Sequence, residues 1–479
     1  MKTSLKQVNI FLSVFQVFTA FGYGFRVVTE TGTDFGIYYL GGVSTSRDFE
    51  LYGDFFEHKG PAYYAFIKAL SYVITYGLIG SAITLTCTAL IWFMCINKGL
   101  AIAKIDNITT VALVKLHSIS VLFLQTSTSS IFLFGSGLAV LGVSYLMDFT
   151  VSPRFKSLTI SSFLISLAML TKLDSFAILL PCLVLTLRIK KNKVQLLTMF
   201  WLCFSTTIGI LLVCFSLFLP YQLEDAFYST IEFVLTVRWN SEGLSATDLV
   251  FNKNLYTFLP LVTSGVLFTI FLLLTSFTKS KIKGSALILF SLYGLLVFLS
   301  LGSSKSYHLF DFYTFVIMGI LLQPQPLVGN LKKASYLLIS YLVAISLSIN
   351  ISYFQEYKCL LIEPRCDTRF SRLLVDKVNA PESDYFLSQG WPYIILGRFP
   401  EVNPNVYWPL AVMTGKNSTD LIESISTSRK LMWFDLNDLK FIQENNPKLY
   451  KNLFSRMKEV GTANDGQWIA YKNQGRAQQ

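Results

Sequence analysis

A few residues stand where an apolar chain has little use for them. Asp34 follows the first apolar segment in TGTDFGIYYL, among Phe35, Tyr38 and Tyr39. Apolar surroundings make a carboxylate a better proton acceptor, so Asp34 is a candidate general base. GDFFEHKGP at 53–61 carries Asp54, Glu57, His58 and Lys59 ahead of a rigid Gly60-Pro61 turn. Lys59 is the only lysine between 34 and 64, and a lysine held at a membrane surface is a point charge suited to a lipid phosphate. TKLDS at 171–175 sets Lys172 and Asp174 into an otherwise apolar stretch, and SKSYH at 304–308 sets Lys305 and His308 before a later one. The half-length helices around TKLDS suggest a turn that dips into a cavity, and SKSYH fits contacts to a phosphate or a sugar. Each also has a plainer reading: a solvated acid for Asp34, a snorkelling anchor for Lys59, a solvated turn for TKLDS, and an interfacial belt for SKSYH. Asp54, Glu57 and His58 fit either supports of a site or surface residues, and their spacing is no metal signature.

The elements that must position these residues are membrane spans. Of 479 residues, 52% are hydrophobic and only 14% charged, where a soluble domain carries about 25% charged residues. The net charge of +11 comes from lysines between apolar segments, which fits orientation in a bilayer and not a nucleic-acid patch. A bilayer core of about 30 Å needs about 20 apolar residues. By that measure the chain reads as about eleven spans, at roughly 8–28, 75–96, 108–126, 130–147, two short ones within 157–188 flanking TKLDS, then 197–219, 255–277, 285–301, 310–322 and 335–353. The first is read as a span and not a signal peptide. Residues 62–74 read as a short interfacial helix, and 221–254 as either an amphipathic lid or a plain loop. Lys115 and His117, within span depth, read as packing or snorkelling residues.

Basic clusters at the N-terminus and after spans 2, 4, 6, 8 and 10 all fall on one side. The positive-inside rule makes that side the cytoplasm. The first outer loop (29–74), TKLDS, 221–254 and SKSYH then meet on the opposite face, with the N-terminus inside and residues 354–479 outside. Residues 1–353 form the membrane domain. The tail, richer in charge and turn residues, reads as a small α/β or α+β domain: strands at YFLSQG, PYIILG, KLMWFDL and QWIAYK, and a helix at NPKLYKNLFSRMKEVG. Five cysteines lie in apolar segments as packing residues, while Cys359 and Cys366 leave a disulfide open on an oxidising side. Asn350 and Asn417 match glycosylation sequons.

Asp34 after span 1, then GDFFEHKGPAYY, LTKLDSFAILLP and a late Tyr-His before a span together resemble the GT-C integral-membrane glycosyltransferases. More narrowly, they resemble the bacterial branch of the protein O-mannosyltransferase family, which includes the lipid A aminoarabinose transferase and shows a D-F-F-x-H-K-P-P-x-Y stretch. The resemblance implies transfer of a sugar from a polyprenyl-phosphate donor to a protein, glycan or lipid acceptor on the non-cytoplasmic face of a bacterial inner or plasma membrane. It implies Asp34 as the base on the acceptor, and Lys59 and Lys172 at the carrier phosphate. No nucleic acid is involved. No cofactor is obligatory, because phosphate is a good leaving group; a divalent ion is allowed but unsupported. The family's Pro-Pro is Gly60-Pro61 here. The rival class is a transporter or flippase for lipid-linked sugars. Such proteins tend to carry inverted repeats and mid-membrane sites, whereas here no repeat shows and the polar groups gather at one face.

Overall fold

The computed structural model describes residues 5–29, 35–47, 49–52, 59–74, 77–123, 130–172, 193–232, 383–385, 431–445, 447–455, 457–463 and 468–474, with isolated positions at 178–185 and 314–351. In chain order the first helices are α1 (Leu5–Thr29), α2 (Phe35–Ser44), α3 (Pro61–Ser71), α4 (Leu78–Ile102), α5 (Ile108–Phe123), α6 (Ser130–Val151), α7 (Phe155–Met169), α8 (Lys193–Phe218) and the short α9 (Leu223–Phe227). Among the described residues, three helices are long and apolar enough to cross a membrane: Leu78–Ile102, Ser130–Val151 and Val194–Phe218. They fall on the second, fourth and seventh expected spans. α1 and α5 cover the first and third, α7 the first half of 157–188, and α3 falls on the helix expected at 62–74. The described positions between 314 and 351 are helical. The eighth and ninth spans lie outside the described residues.

Close approach between helices rests on small residues, as membrane packing demands. A β-carbon at Gly137 of α6 would lie 3.2 Å from the Trp92 Cα of α4, and one at Gly142 would lie 2.8 Å from Ile165 of α7. Gly142 against Ile165 and Gly135 against Thr171 make α6 and α7 antiparallel, with the start of α6 beside the end of α7. α1, α4 and α5 are laced by buried polar groups. Gln16 Nε2 donates to Ser118 Oγ at 3.0 Å, Asn97 Nδ2 to Gln16 Oε1 at 2.9 Å, and Lys115 Nζ to Ser13 Oγ at 2.6 Å and the Asn9 carbonyl at 3.3 Å. Lys115 is therefore a packing residue. α8 exposes Val194, Leu202, Ile210, Val213 and Leu217, the side chains of a lipid-facing helix.

α2 was not expected. Its ten residues, FGIYYLGGVS, are all buried. Tyr38 meets Tyr63 edge-on with centroids 6.4 Å apart, and a β-carbon at Gly42 would lie 2.5 Å from Ile67. The equal offset of these two pairs makes α2 and α3 parallel. The stretch from 221 also begins as structure: α9 continues into a π-helical turn at Tyr228–Glu232.

In the tail, β1 (Ser383–Tyr385), β2 (Leu431–Asp435), β3 (Met457–Ala463) and β4 (Trp468–Asn473) form a sheet in the order β1-β2-β4-β3. β1 pairs parallel to β2, and the other pairings are antiparallel. α10 (Leu436–Asn445) and α11 (Pro447–Phe454) connect β2 to β3. Strands were expected at KLMWFDL and QWIAYK, and both form. The expected helix at 446–461 is half right: PKLYKNLF is helical, but MKEVGTA is the strand β3. Alternation sends Met432 and Phe434 towards Leu439, Ile442 and Leu453 on one face. Trp433, Trp468 and Ala470 occupy the other face, in one continuous apolar core with the helical bundle.

Candidate functional site

Two of the lysines singled out by sequence meet at one junction. Lys59 and Lys172 are each 5% exposed. Their chain segments are joined by main-chain bonds: Gly60 N–H donates to the Thr171 carbonyl at 3.0 Å, and Ala62 N–H to the Leu170 carbonyl at 3.0 Å. Pro61 at the first position of α3 has no N–H to leave unpaired. The rung on either side of it satisfies two carbonyls that the end of α7 would otherwise leave open. The apolar side chains of Ala62, Leu170 and Leu211 seal this junction against α8.

The packing at position 60 accounts for glycine where the resembled pattern has proline. The Gly60 backbone is extended, φ −72° and ψ 163°, and open to any residue. A β-carbon there would lie 2.1 Å from the Leu170 carbonyl oxygen. A proline would meet the same clash and lack the N–H that reaches Thr171. The turn after Lys59 is thus held by a main-chain bond.

Lys172 Nζ lies 3.4 Å from the centroid of the Phe132 ring, on the first turn of α6. Such a desolvated cation–π contact is worth about 2 kcal/mol. TKLDS is therefore no solvated turn at Lys172: α7 stops at Met169, Thr171 caps back onto Leu167 through its hydroxyl at 2.8 Å, and the lysine enters the protein.

Two residues that the sequence did not single out hold this place. Tyr52, fully buried at φ 70°, donates its hydroxyl to the Lys59 carbonyl at 2.7 Å. Its ring packs edge-on against Tyr221 at 5.4 Å, and Leu51 N–H donates to the Pro220 carbonyl at 3.1 Å. Burial pushes the Tyr221 phenol up to about 12, so it stays a neutral donor to the Leu212 carbonyl, 3.3 Å away. Lys68, 5% exposed, donates to the carbonyls of Thr45 at 2.8 Å and Phe218 at 2.6 Å. Tyr52 carried one signal, an aromatic residue close before the loaded loop. Lys68 carried none beyond its place in an interfacial helix.

Asp34, Asp54, Glu57, His58, Asp174, Lys305 and His308 lie outside the described residues, as do Cys359 and Cys366. Among the described residues, no group of three or more His, Cys, Asp or Glu side chains is placed to hold a metal ion. Asn350 of the first sequon is bonded to Thr19 of α1, with Nδ2 to Oγ1 at 3.1 Å, so its amide is engaged in helix packing.

No protein-family model matches the chain, and no curated protein matches it in sequence. Its structure is similar to that of ArnT from Cupriavidus metallidurans, solved bound to undecaprenyl phosphate: TM-score 0.60 and 12% identity, over 98% of this chain and 98% of that one. From end to end, the chain has an ArnT-like fold.

Proposed function

We propose that this chain is an integral-membrane glycosyltransferase that moves a sugar from a polyprenyl-phosphate donor to an acceptor on the non-cytoplasmic face. The observation that carries the reading is the main-chain joint that brings Lys59 and Lys172, both buried, to one place within a fold shared with a protein solved with undecaprenyl phosphate. Two ammonium groups fixed there suit a lipid phosphate, whose negative charge grows as it leaves.

The acceptor's nucleophilic atom attacks the anomeric carbon, and the bond from that carbon to the phosphate oxygen breaks. The electron pair goes to the polyprenyl phosphate, which Lys59 and Lys172 stabilise. The acceptor's proton goes to Asp34. A single displacement inverts the anomeric configuration. Asp34 precedes Phe35, the first residue of α2, and Lys59 lies two residues before α3. Because α2 and α3 are parallel, their leading ends point the same way, which supports pairing the base with the phosphate contact. Lys305 and His308 serve as further contacts to the donor, and Asp54, Glu57 and His58 as supports. The reading keeps eleven spans, an inner N-terminus and an outer tail.

The test uses purified full-length protein in detergent with radiolabelled polyprenyl-phosphate sugars and a membrane extract. Transfer falls at least about a hundredfold in Asp34→Asn and Lys59→Ala, at undiminished expression. Unchanged transfer in both overturns the site, and movement of the lipid-linked sugar across vesicles without transfer points to a flippase.

A further inference from the structure

The end of α8 is an anchor for the loop that carries Lys59. Three positions within four residues take part. The Phe218 carbonyl accepts from Lys68 Nζ at 2.6 Å, the Pro220 carbonyl accepts from Leu51 N–H, and the Tyr221 ring packs on Tyr52, whose hydroxyl holds the Lys59 carbonyl. Lys68 reaches in the other direction as well, to the Thr45 carbonyl at the short 3-10 turn (Thr45–Arg47) that ends α2. Its ammonium lies 5.1 Å from the centroid of the Phe218 ring.

We propose that Lys68 is a positioning residue: its ammonium ties the end of α8 to both flanks of the loop and so sets where Lys59 stands, without itself touching the substrate. The proposal rests on the reading of Lys59 as a phosphate contact. The chemistry of the contact argues for a device and not a filler. A buried lysine costs desolvation, which a leucine at the same place avoids. What the ammonium supplies is reach, charge and several donors at once. Carbonyls at the C-terminal end of a helix carry the negative pole of its dipole and favour a cation. Charge-assisted bonds of this kind are stronger than neutral ones. Lys68 also lies on α3, the helix whose first residues form the joint with Leu170 and Thr171. One rigid helix therefore carries the clamp at one end and the lysine-bearing turn at the other.

The test compares Lys68→Met, which keeps the length and loses the donors, with Lys68→Arg, which restores charge and donors. Two readouts are taken on the full chain in detergent: amide exchange of the segment containing Leu51, whose N–H bonds to Pro220, and binding of undecaprenyl phosphate. In Lys68→Met the segment exchanges about tenfold faster and the lipid binds about tenfold more weakly. Lys68→Arg recovers both. Unchanged exchange in Lys68→Met overturns the tie. Faster exchange with unchanged binding, where Lys59→Ala loses binding, leaves a structural brace and overturns the positioning role. Wild-type binding in Lys59→Ala overturns the phosphate reading itself and takes the positioning role with it, whatever the exchange shows. Should Lys68→Met not fold, Phe218→Leu removes the ring below the ammonium and keeps both carbonyls. It gives the same two shifts, about threefold each, and no shift in either overturns the proposal.

Discussion

A β-carbon at position 60 has nowhere to go, because the atom it would strike, 2.1 Å away, is the main-chain oxygen of Leu170. Main chain at a helix end cannot swing aside as a flexible side chain can. Gly60→Ala therefore costs about 1–3 kcal/mol of stability, the range for overpacking, and separates the segments that carry Lys59 and Lys172. The expected outcome is a lower melting temperature together with loss of lipid-phosphate binding. A variant that melts and binds as wild type does would deny the joint its role. Lys172 gives the companion case. Replacing it with Met removes the attraction to Phe132 together with the desolvation cost of the buried charge, two opposing terms, so melting changes little while donor binding weakens about tenfold or more. An equal loss on both measures would mark Lys172 as a packing residue.

At the scale of elements, the tail sheet responds to pH. Tyr471 of β4 has its phenol pushed up to about 12, chiefly by burial and then by Tyr450 and Glu459 nearby. A folded-state value above the unfolded one means that the fold holds the proton more tightly. The stability this gives is complete below pH 10 and is lost as pH rises towards about 12. Phenolate absorbance should appear late and together with loss of the tail's circular dichroism. Early, independent ionisation would place Tyr471 in free contact with water.

The long elements were legible because span length and basic flanks are one-dimensional signals. α4, α6 and α8 begin and end near where apolar runs meet Lys98, Arg154 and Pro220. α2 was not legible: a helix buried all round has no amphipathic period, and Gly41-Gly42 reads as a break until Ile67 is seen against it. β3 was read as helix because an edge strand with exposed Lys458, Glu459 and Val460 shows no alternation, and a bulge between Glu459 and Gly461 shifts its register. Of the site, Lys59 and Lys172 were legible as charges out of place. Lys68 was not, since its partners are two carbonyls, and carbonyls belong to every residue.

For the whole molecule the orientation is the open quantity. Alkaline phosphatase fused after Lys104 should be inactive, and fused after the last residue active, because the enzyme folds only outside the cytoplasm. The opposite pattern would move Lys59, Lys172 and the tail to the cytoplasmic side and end the proposed reaction. The sheet domain is also no loose appendage. Trp433 and Trp468 are 4% and 7% exposed within the core shared with the bundle. Trp433→Ala accordingly lowers the melting temperature of the entire chain, at a cost of about 3–5 kcal/mol. A drop confined to the tail would show two independently melting units.

The anchor at the end of α8 also has a consequence in time. Lys68 waits for a carbonyl 150 residues further along the chain, which at the ribosome is roughly 8–30 s of synthesis. α3 therefore leaves the ribosome without its partner, and the loop bearing Lys59 stays open until α8 has crossed the bilayer. On the proposed reading, a nascent chain cannot acquire its donor site piecemeal. The Lys68 tie forms only on a bundle that is already largely inserted, so an abandoned or truncated chain lacks the assembled place proposed for the lipid phosphate.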